Sequence, residues 1–319
     1  MGQLKTVLSV QHLTKKIKGK LIVQDISFDV VEGEIVGLLG ANGAGKTTTM
    51  KMIVGLSTIS AGDVQIAGYS IKSQFSKALF NVGAVIEAPA FYPYLSGYEN
   101  LRQYQRLHKN SSKDWLLEVA SLTGIEHALE QRVSTYSMGM KQRLGIAQAL
   151  LRKPKLLVLD EPMNALDPAG VRETRNYLNR IAADLGVAIV ISSHQLSEIE
   201  QMARRVVIMQ NGCLVTEQRI DDGLNDGKFY ITLHVDNVEL TSEVVVNLFG
   251  DDHHALDYTQ TKKLSNGLHT MTVAIDESQV PKLIRALCDA RVEVHRVLPA
   301  HTSLEDKFLK WTTARGEVN

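Results

Sequence analysis

The 319-residue sequence has only two cysteines, Cys213 and Cys288, and their spacing is not that of metal ligands. Two cysteines are too few for a disulfide framework. The first ten residues, MGQLKTVLSV, also lack the basic and then apolar pattern of a signal peptide. We therefore expect a protein of the reducing cytosol.

Long apolar segments are absent as well. The longest apolar runs, within Lys155–Leu159 and Val187–Ile191, have the length of a strand, whereas a helix that spans a bilayer needs about 20 apolar residues. The sequence thus predicts that the chain does not cross a membrane by itself.

An excess of one charge is missing too, since 35 lysines and arginines balance 35 aspartates and glutamates. Without a net field, binding to nucleic acid or to an anionic bilayer is disfavoured. A hydrophobic content of 44% with 22% charged residues is typical of folded chains and argues against a disordered one. The length suits roughly two domains.

Apolar periodicity predicts an α/β fold with a parallel sheet in the first part of the chain. Strand patterns at Val7–Leu13, Leu21–Val30 and Glu34–Leu39 precede a glycine-rich turn and a helical pattern. Continuous apolar strands are expected at Leu156–Asp160 and Val187–Ser192, as in a sheet that helices cover on both faces. The stretch from about residue 90 to 150 has helical periods, which indicates a helical subdomain inserted in the sheet domain.

A smaller α+β domain is predicted after the polar stretch 221–228, which divides the chain into domains at 1–222 and 228–319. The pattern after this boundary is close to βαββαβ, the order of a ferredoxin-like domain. Strands are expected at Phe229–Val235, Leu268–Ile275 and Val292–Leu298, and helices at Glu243–Leu248, Val280–Asp289 and, as a closing amphipathic helix, Ser303–Trp311.

A phosphate-binding loop is predicted where the third strand meets the first helix. The sequence GANGAGKT satisfies the P-loop pattern, in which backbone N–H groups hold phosphates and glycines allow their close approach. The lysine of this pattern neutralises charge on β- and γ-phosphate oxygens, and the threonine ligates Mg²⁺. The predicted nucleotide-binding residues of the loop are Gly40, Asn42, Gly43, Ala44, Gly45, Lys46, Thr47 and Thr48.

Two acids follow the strand LLVL, so they stand at the carboxyl edge of the predicted sheet. Asp160 is a candidate for holding the Mg²⁺ ion, together with Thr47. Glu161 is a candidate catalytic residue, because a carboxylate there can orient or deprotonate an attacking water. The alternative is that both acids merely cap the following turn, which Pro162 favours.

A histidine, His194, follows the next apolar strand. Its imidazole can act near a terminal phosphate as a sensor or proton relay, which makes it a candidate catalytic residue. A single histidine at a strand end is also a common polar cap, so its role depends on the surrounding motifs.

Five motifs in order resemble the ATP-binding subunit of an ABC transporter over about residues 5–220. They are the P-loop, Tyr136–Ala147, Leu159–Pro162, Asn164–Pro168 and Ser192–His194. The resemblance implies a P-loop domain with a RecA-like core and a helical subdomain, and a homodimer that encloses two ATP molecules. It further implies that Ser137 and Gly139 contact the γ-phosphate bound to the other subunit, and that Asp167 lies at the dimer junction.

Departures from the usual motifs point to one branch of the family that the sequence resembles. Met138 and Met140 stand where a glycine and a glutamine are usual, and the form YSMGMKQRL is similar to the bacitracin-resistance and lantibiotic-immunity branch. Glu87 occupies the place of a common glutamine, as in the immunity transporters, and is expected to reach the Mg²⁺ and the attacking water. Ile17 stands where an aromatic residue stacks on adenine, so we expect weaker stacking on an apolar surface.

The resemblance implies a cytoplasmic ATPase subunit, peripheral on the inner face of the membrane through separate permease subunits. We expect it to drive export of an antimicrobial peptide or similar amphiphile. Another cargo, such as a lipid, polysaccharide or ion, is the alternative. A soluble ATPase of translation or DNA repair is disfavoured by the single P-loop and the lack of heptads. The aromatic residues Phe91, Tyr92, Tyr94 and Tyr98 are expected to receive the permease, or else to pack in the core.

Overall fold

The computed structural model describes residues 5–107, 112–164, 166–220, 229–249, 262–264 and 267–299. The chain divides into two units, of which the first runs to Ile220 and the second begins at Asp221. The predicted helix at 303–311 and the predicted boundary stretch 221–228 lie outside the described residues.

Ten strands in the described residues of the first unit form two sheets. In chain order they are β1 (Thr6–Ile17), β2 (Lys20–Val31), β3 (Ile35–Leu39), β4 (Ala61–Ile66), β5 (Tyr69–Ser70), β6 (Val82–Val85), β7 (Leu156–Leu159), β8 (Ala188–Ser193), β9 (Arg205–Gln210) and β10 (Cys213–Arg219). One sheet is antiparallel, in the order β2-β1-β4-β5, and the other has the order β10-β9-β3-β8-β7-β6. The strands from β9 to β6 in the second sheet pair in parallel.

In the described part of the first unit, seven α-helices accompany these sheets. They are α1 (Lys46–Ile53), α2 (Phe75–Phe80), α3 (Gly97–Gln105), α4 (Lys113–Leu122), α5 (Met138–Leu150), α6 (Pro168–Leu185) and α7 (Leu196–Glu200). The predicted helical insert between residues 90 and 150 thus contains α3, α4 and α5. Of the helices described, none is long and apolar enough to span a bilayer.

Burial explains why the central strands are apolar throughout. Every residue of β3, β7 and β8 is buried, because the parallel sheet is covered on both faces. Parallel strands place their carboxyl ends at one edge of the sheet. The P-loop after β3, the acids after β7 and His194 after β8 therefore meet at this edge.

Side-chain caps begin the helices of the insert and the long helix after it. Ser96 and Glu99 form a capping box at α3, and Ser137 accepts a hydrogen bond from the Met140 amide at the start of α5. Asp167 caps α6, whose first residue is Pro168, and Gly186 ends that helix in the left-handed region at φ 65°.

The second unit is an α+β domain with the predicted βαββαβ order. Its elements are β11 (Phe229–Val235), α8 (Val238–Phe249), β12 (Lys262–Lys263), β13 (His269–Ile275), α9 (Val280–Asp289) and β14 (Val294–Pro299). The strand order β12-β13-β11-β14, with antiparallel neighbours, is that of a ferredoxin-like fold. The helix predicted at 243–248 is twice as long in the structure, and the sequence did not mark β12 as a strand.

Candidate nucleotide-binding site

The loop between β3 and α1 has a backbone that requires glycine. Gly40 has φ 156°, and a Cβ there would collide with the Met209 carbonyl oxygen. Gly45, at φ 102°, also lies in a conformation that other residues rarely adopt. Gly43 has φ 83°, and nothing lies within 4 Å of the position its Cβ would take. At Gly43 the loop therefore presents its backbone to open space, as a phosphate cradle requires.

Lys46 carries a nearly buried positive charge at the end of this loop. Its side chain is 6% exposed, and its Nζ donates a hydrogen bond of 2.6 Å to the Gly40 carbonyl oxygen. The same Nζ lies 3.6 Å from Oε1 of Glu161. The lysine thus links the P-loop to the acid that follows β7.

Asp160 lies beside the P-loop threonine. Its Oδ1 accepts hydrogen bonds from Oγ1 of Thr47, at 3.3 Å, and from Oγ of Ser192, at 2.7 Å. Asp160 itself is only 8% exposed. A buried carboxylate next to a hydroxyl provides the hard oxygen atoms that Mg²⁺ prefers.

Glu161 and His194 form a direct pair. Oε2 of Glu161 lies 2.8 Å from Nδ1 of His194, and the Glu161 amide donates to Oγ of Ser192 at 2.8 Å. Glu161 has φ 47°, a left-handed conformation uncommon for a residue with a side chain. Its carboxylate is held between the imidazole of His194 and the ammonium of Lys46.

Most of these groups line one cleft of about 470 Å³, whose lining does not include Asp160 or Gly40. The sequence predicted most of its lining but missed Ile22 and Asn164. Asn164 belongs to a recognised motif, whereas no local pattern marks Ile22. The lining residues are Ile22, Asn42, Gly43, Ala44, Gly45, Lys46, Thr47, Thr48, Glu161, Asn164 and His194.

Ile17 and Glu87 are not among the residues that line this cleft. Ile17 ends β1 and is 47% exposed. Glu87 follows β6 at φ 63°, and its Oε1 accepts a hydrogen bond of 2.6 Å from Nζ of Lys51. That hydrogen bond and the charge of Lys51 hold the pKa of Glu87 below its usual value.

Five residues of the YSMGMKQRL motif line a different cavity, of about 610 Å³. Ser137, Gly139 and Asp167 all line it. Among the described residues, the linings of this cavity and of the P-loop cleft have no member in common. A single chain therefore does not bring the motif's serine into its own phosphate cleft.

Comparison with known proteins agrees with this geometry. The family model described as ABC transporter matches residues 23–164. The uncharacterised ABC transporter ATP-binding protein YhcH of Bacillus subtilis is 42% identical over 310 residues, 97% of each chain. The bacitracin transport ATP-binding protein BcrA of Enterococcus faecalis is 35% identical over 304 residues, 95% of this chain and 96% of its own.

A solved structure of the ATP-binding subunit of an ABC transporter has the same fold. It superposes with a TM-score of 0.62 at 31% identity, and the match covers 68% of this chain and 92% of the other. The chain therefore belongs to the ABC transporter family, and it is an ATP-binding subunit with ATPase activity.

Proposed function

We propose that this ATPase subunit powers the export of an antimicrobial peptide or a similar amphiphile through separate membrane permease subunits. One observation carries the proposal: the similarity to a bacitracin transport protein extends over 95% of the chain, so it includes the second unit as well as the ATPase unit. Lipid, polysaccharide or ion transport remains the alternative for the cargo.

Thr47 and Asp160 are the residues we assign to Mg²⁺. The hydroxyl oxygen of Thr47, which lines the phosphate cleft, and the carboxylate oxygen of Asp160 lie 3.3 Å apart, which suits a cation that takes oxygen ligands. When bound, the ion would supply positive charge to the phosphate oxygens of ATP. We further infer that Glu87 exchanges Lys51 for this ion when nucleotide binds, since a carboxylate is a better ligand than the common glutamine.

Glu161 is the group we assign as the catalytic base. It takes a proton from a water whose oxygen attacks the γ-phosphorus of ATP, while the bond from that phosphorus to the ADP oxygen breaks. His194 contacts Oε2 and so holds the carboxylate in place. We assign Lys46, whose Nζ lies 3.6 Å from Oε1 of Glu161, to neutralise the phosphate charge.

A second copy of the chain is the proposed partner in ATP binding. The separation of the Ser137 and Gly139 cavity from the P-loop cleft supports a site completed by two chains. For the permease, the exposed rings of Tyr92 and Tyr94, 51% and 66% exposed, offer an apolar contact. Attachment to the permease would place the subunit at the cytoplasmic face of the membrane.

A protection assay tests the cargo. Producing the subunit with its permease should let a sensitive cell survive a cationic or ring-bridged peptide, and Lys46→Ala should remove this protection. Lys282→Ala, a matched change of an exposed lysine on α9, should preserve it. Unchanged sensitivity to a broad peptide panel, with the complex assembled, would favour a lipid or polysaccharide cargo.

A further inference from the structure

A fully buried serine lies directly behind the two acids of the site. Ser192 is in β8, and its relative exposure is 0%. In the parallel pairing of β7 and β8, Leu159 is opposite Ile191, so Ser192 lies beside the point where Asp160 and Glu161 leave β7. It is not among the residues that line the nucleotide cleft.

The hydroxyl of Ser192 contacts both acids at once. It donates to Oδ1 of Asp160 at 2.7 Å and accepts from the backbone amide of Glu161 at 2.8 Å. A hydroxyl has one donor and two acceptor positions, so the two hydrogen bonds are compatible. One atom thereby fixes the carboxylate of the first acid and the backbone of the second.

The backbone at Glu161 needs such a contact. Its φ of 47° is unfavourable for a residue with a Cβ and persists only where surrounding interactions determine it. This conformation accompanies contacts of the Glu161 carboxylate with His194 and Lys46. Without an acceptor, the Glu161 amide would lose its hydrogen bond and the conformation would lose a restraint.

We propose that Ser192 is a positioning residue for ATP hydrolysis: it holds Asp160 and Glu161 in their working geometry without touching the nucleotide. The proposal rests on the assignment of Glu161 as the base. The Ser192 hydroxyl hydrogen-bonds to the two acids and, among the described residues, to no group of the P-loop.

The neighbouring serine provides a matched control. Ser193 is also in β8 and is 3% exposed. Because successive residues of a strand face opposite sides, its hydroxyl bonds elsewhere. It accepts from the Gln195 amide at 2.9 Å and donates to Oε2 of Glu198 at 3.2 Å. Alanine at either position therefore removes one buried hydroxyl, but only Ser192→Ala removes the hydrogen bonds to Asp160 and Glu161.

The test is steady-state ATPase kinetics on the full-length chain, together with equilibrium binding of a fluorescent ATP analogue and thermal unfolding. We expect Ser192→Ala to lower kcat about 10- to 100-fold, the usual cost of removing a group that orients a reacting residue. The dissociation constant of the analogue should change less than about threefold, since the P-loop is intact. The thiol of Ser192→Cys has nearly the volume of the hydroxyl but is only a weak hydrogen-bond donor, so kcat should fall in this variant too. Ser192→Cys therefore tests the proposal even if the alanine variant fails to fold.

Two results would overturn the proposal. One is a kcat within twofold of the unmodified chain in a folded Ser192→Ala or Ser192→Cys variant. The other is an equal loss of kcat in Ser193→Ala, since that would indicate general loosening of the strand end. Glu161→Gln shows whether the assignment of Ser192 or the assignment of Glu161 as the base is wrong. If Glu161→Gln is inactive while Ser192→Ala is fully active, only the assignment of Ser192 is wrong.

Discussion

Two glutamates of the first unit share a left-handed backbone and a lysine partner, yet their surroundings differ. Glu161 contacts Lys46, whose side chain is 6% exposed, whereas the Glu87 and Lys51 side chains are 67% and 35% exposed. An exposed ion pair contributes little to the free energy of folding, so either partner can easily exchange it for another contact. The first pair is therefore suited to a fixed site, and the second to a contact that changes when a ligand binds.

The Glu87 contact predicts a measurable pKa change. Lys51 holds the pKa of Glu87 below its usual value, so Lys51→Ala should raise that pKa toward the ordinary range. A lowered pKa means that the pair contributes fully at neutral pH and loses its contribution as pH falls through the folded-state value. Side-chain carboxyl NMR titration of both proteins measures this. An unchanged Glu87 titration in Lys51→Ala would show that the hydrogen bond is not formed in solution.

Base selectivity should be weak. The cleft contains the aliphatic Ile22, and Ile17 replaces the expected aromatic ring, so no stacking worth about 1–3 kcal/mol is available from that position. Competition binding should give a preference for ATP over GTP below about a hundredfold. Because Ile22 lines the cleft, Ile22→Ala should weaken binding more than Ile17→Ala. The opposite order would place the base against Ile17.

Helix α3 packs so closely against the rest of the helical insert that its first residue, Gly97, has no room for a side chain. A Cβ at Gly97 would collide with the Tyr136 hydroxyl, which donates a hydrogen bond of 2.6 Å to the Ala128 carbonyl oxygen. Burial, with a smaller effect of Glu130, raises the pKa of Tyr136 to about 12, so this donor keeps its proton.

Gly97→Ala should destabilise the protein by about 1–3 kcal/mol, as overpacking does. Tyr136→Phe removes the colliding oxygen, so the same glycine substitution should cost less in that background. Urea unfolding of the four proteins of this cycle gives the coupling. Additive losses would mean that Gly97 and Tyr136 do not meet.

Helices and strands were predictable from the sequence where burial or a helix cap leaves a pattern in neighbouring residues. β7 and β8 are buried on both faces and read as continuous apolar runs, and α5 follows a capping serine. In contrast, the polar strand β4 and the six-residue helix α2, which lacks a side-chain cap, carry weak signals. The sequence therefore predicted the architecture better than its small peripheral elements.

In the site, too, the residues of local motifs were predictable from the sequence, whereas contacts between distant segments were not. The P-loop, Asp160, Glu161 and His194 form short motifs and were predicted. Most of the P-loop, Glu161 and His194 line one cleft, and Asp160 contacts its Thr47 from outside the lining. The contacts of Ser192 with the acids depend on the register of two strands distant in sequence. The Lys51 contact of Glu87 likewise joins α1 to the chain after β6, which residue spacing does not reveal.

At the scale of the molecule, each unit has a core of its own. One buried cluster spans residues from Val7 to Met209, and a second one spans residues from Ile231 to Val292. A chain that ends at Gly227 should therefore fold, unfold cooperatively, and bind ATP within about threefold of the full-length affinity. Loss of soluble, nucleotide-binding protein on this truncation would show that the second unit completes the first core.

We infer that the acids and the P-loop form half of an ATPase site that a second chain completes. Sedimentation of Glu161→Gln with ATP and Mg²⁺ tests it most directly, because blocked hydrolysis should trap the bound state. We expect an ATP-dependent species of twice the 35.3 kDa chain mass, which Lys46→Ala abolishes in the same background. A Glu161→Gln protein that turns over ATP at the unmodified rate, or that binds ATP and stays monomeric, would rule out this two-chain site.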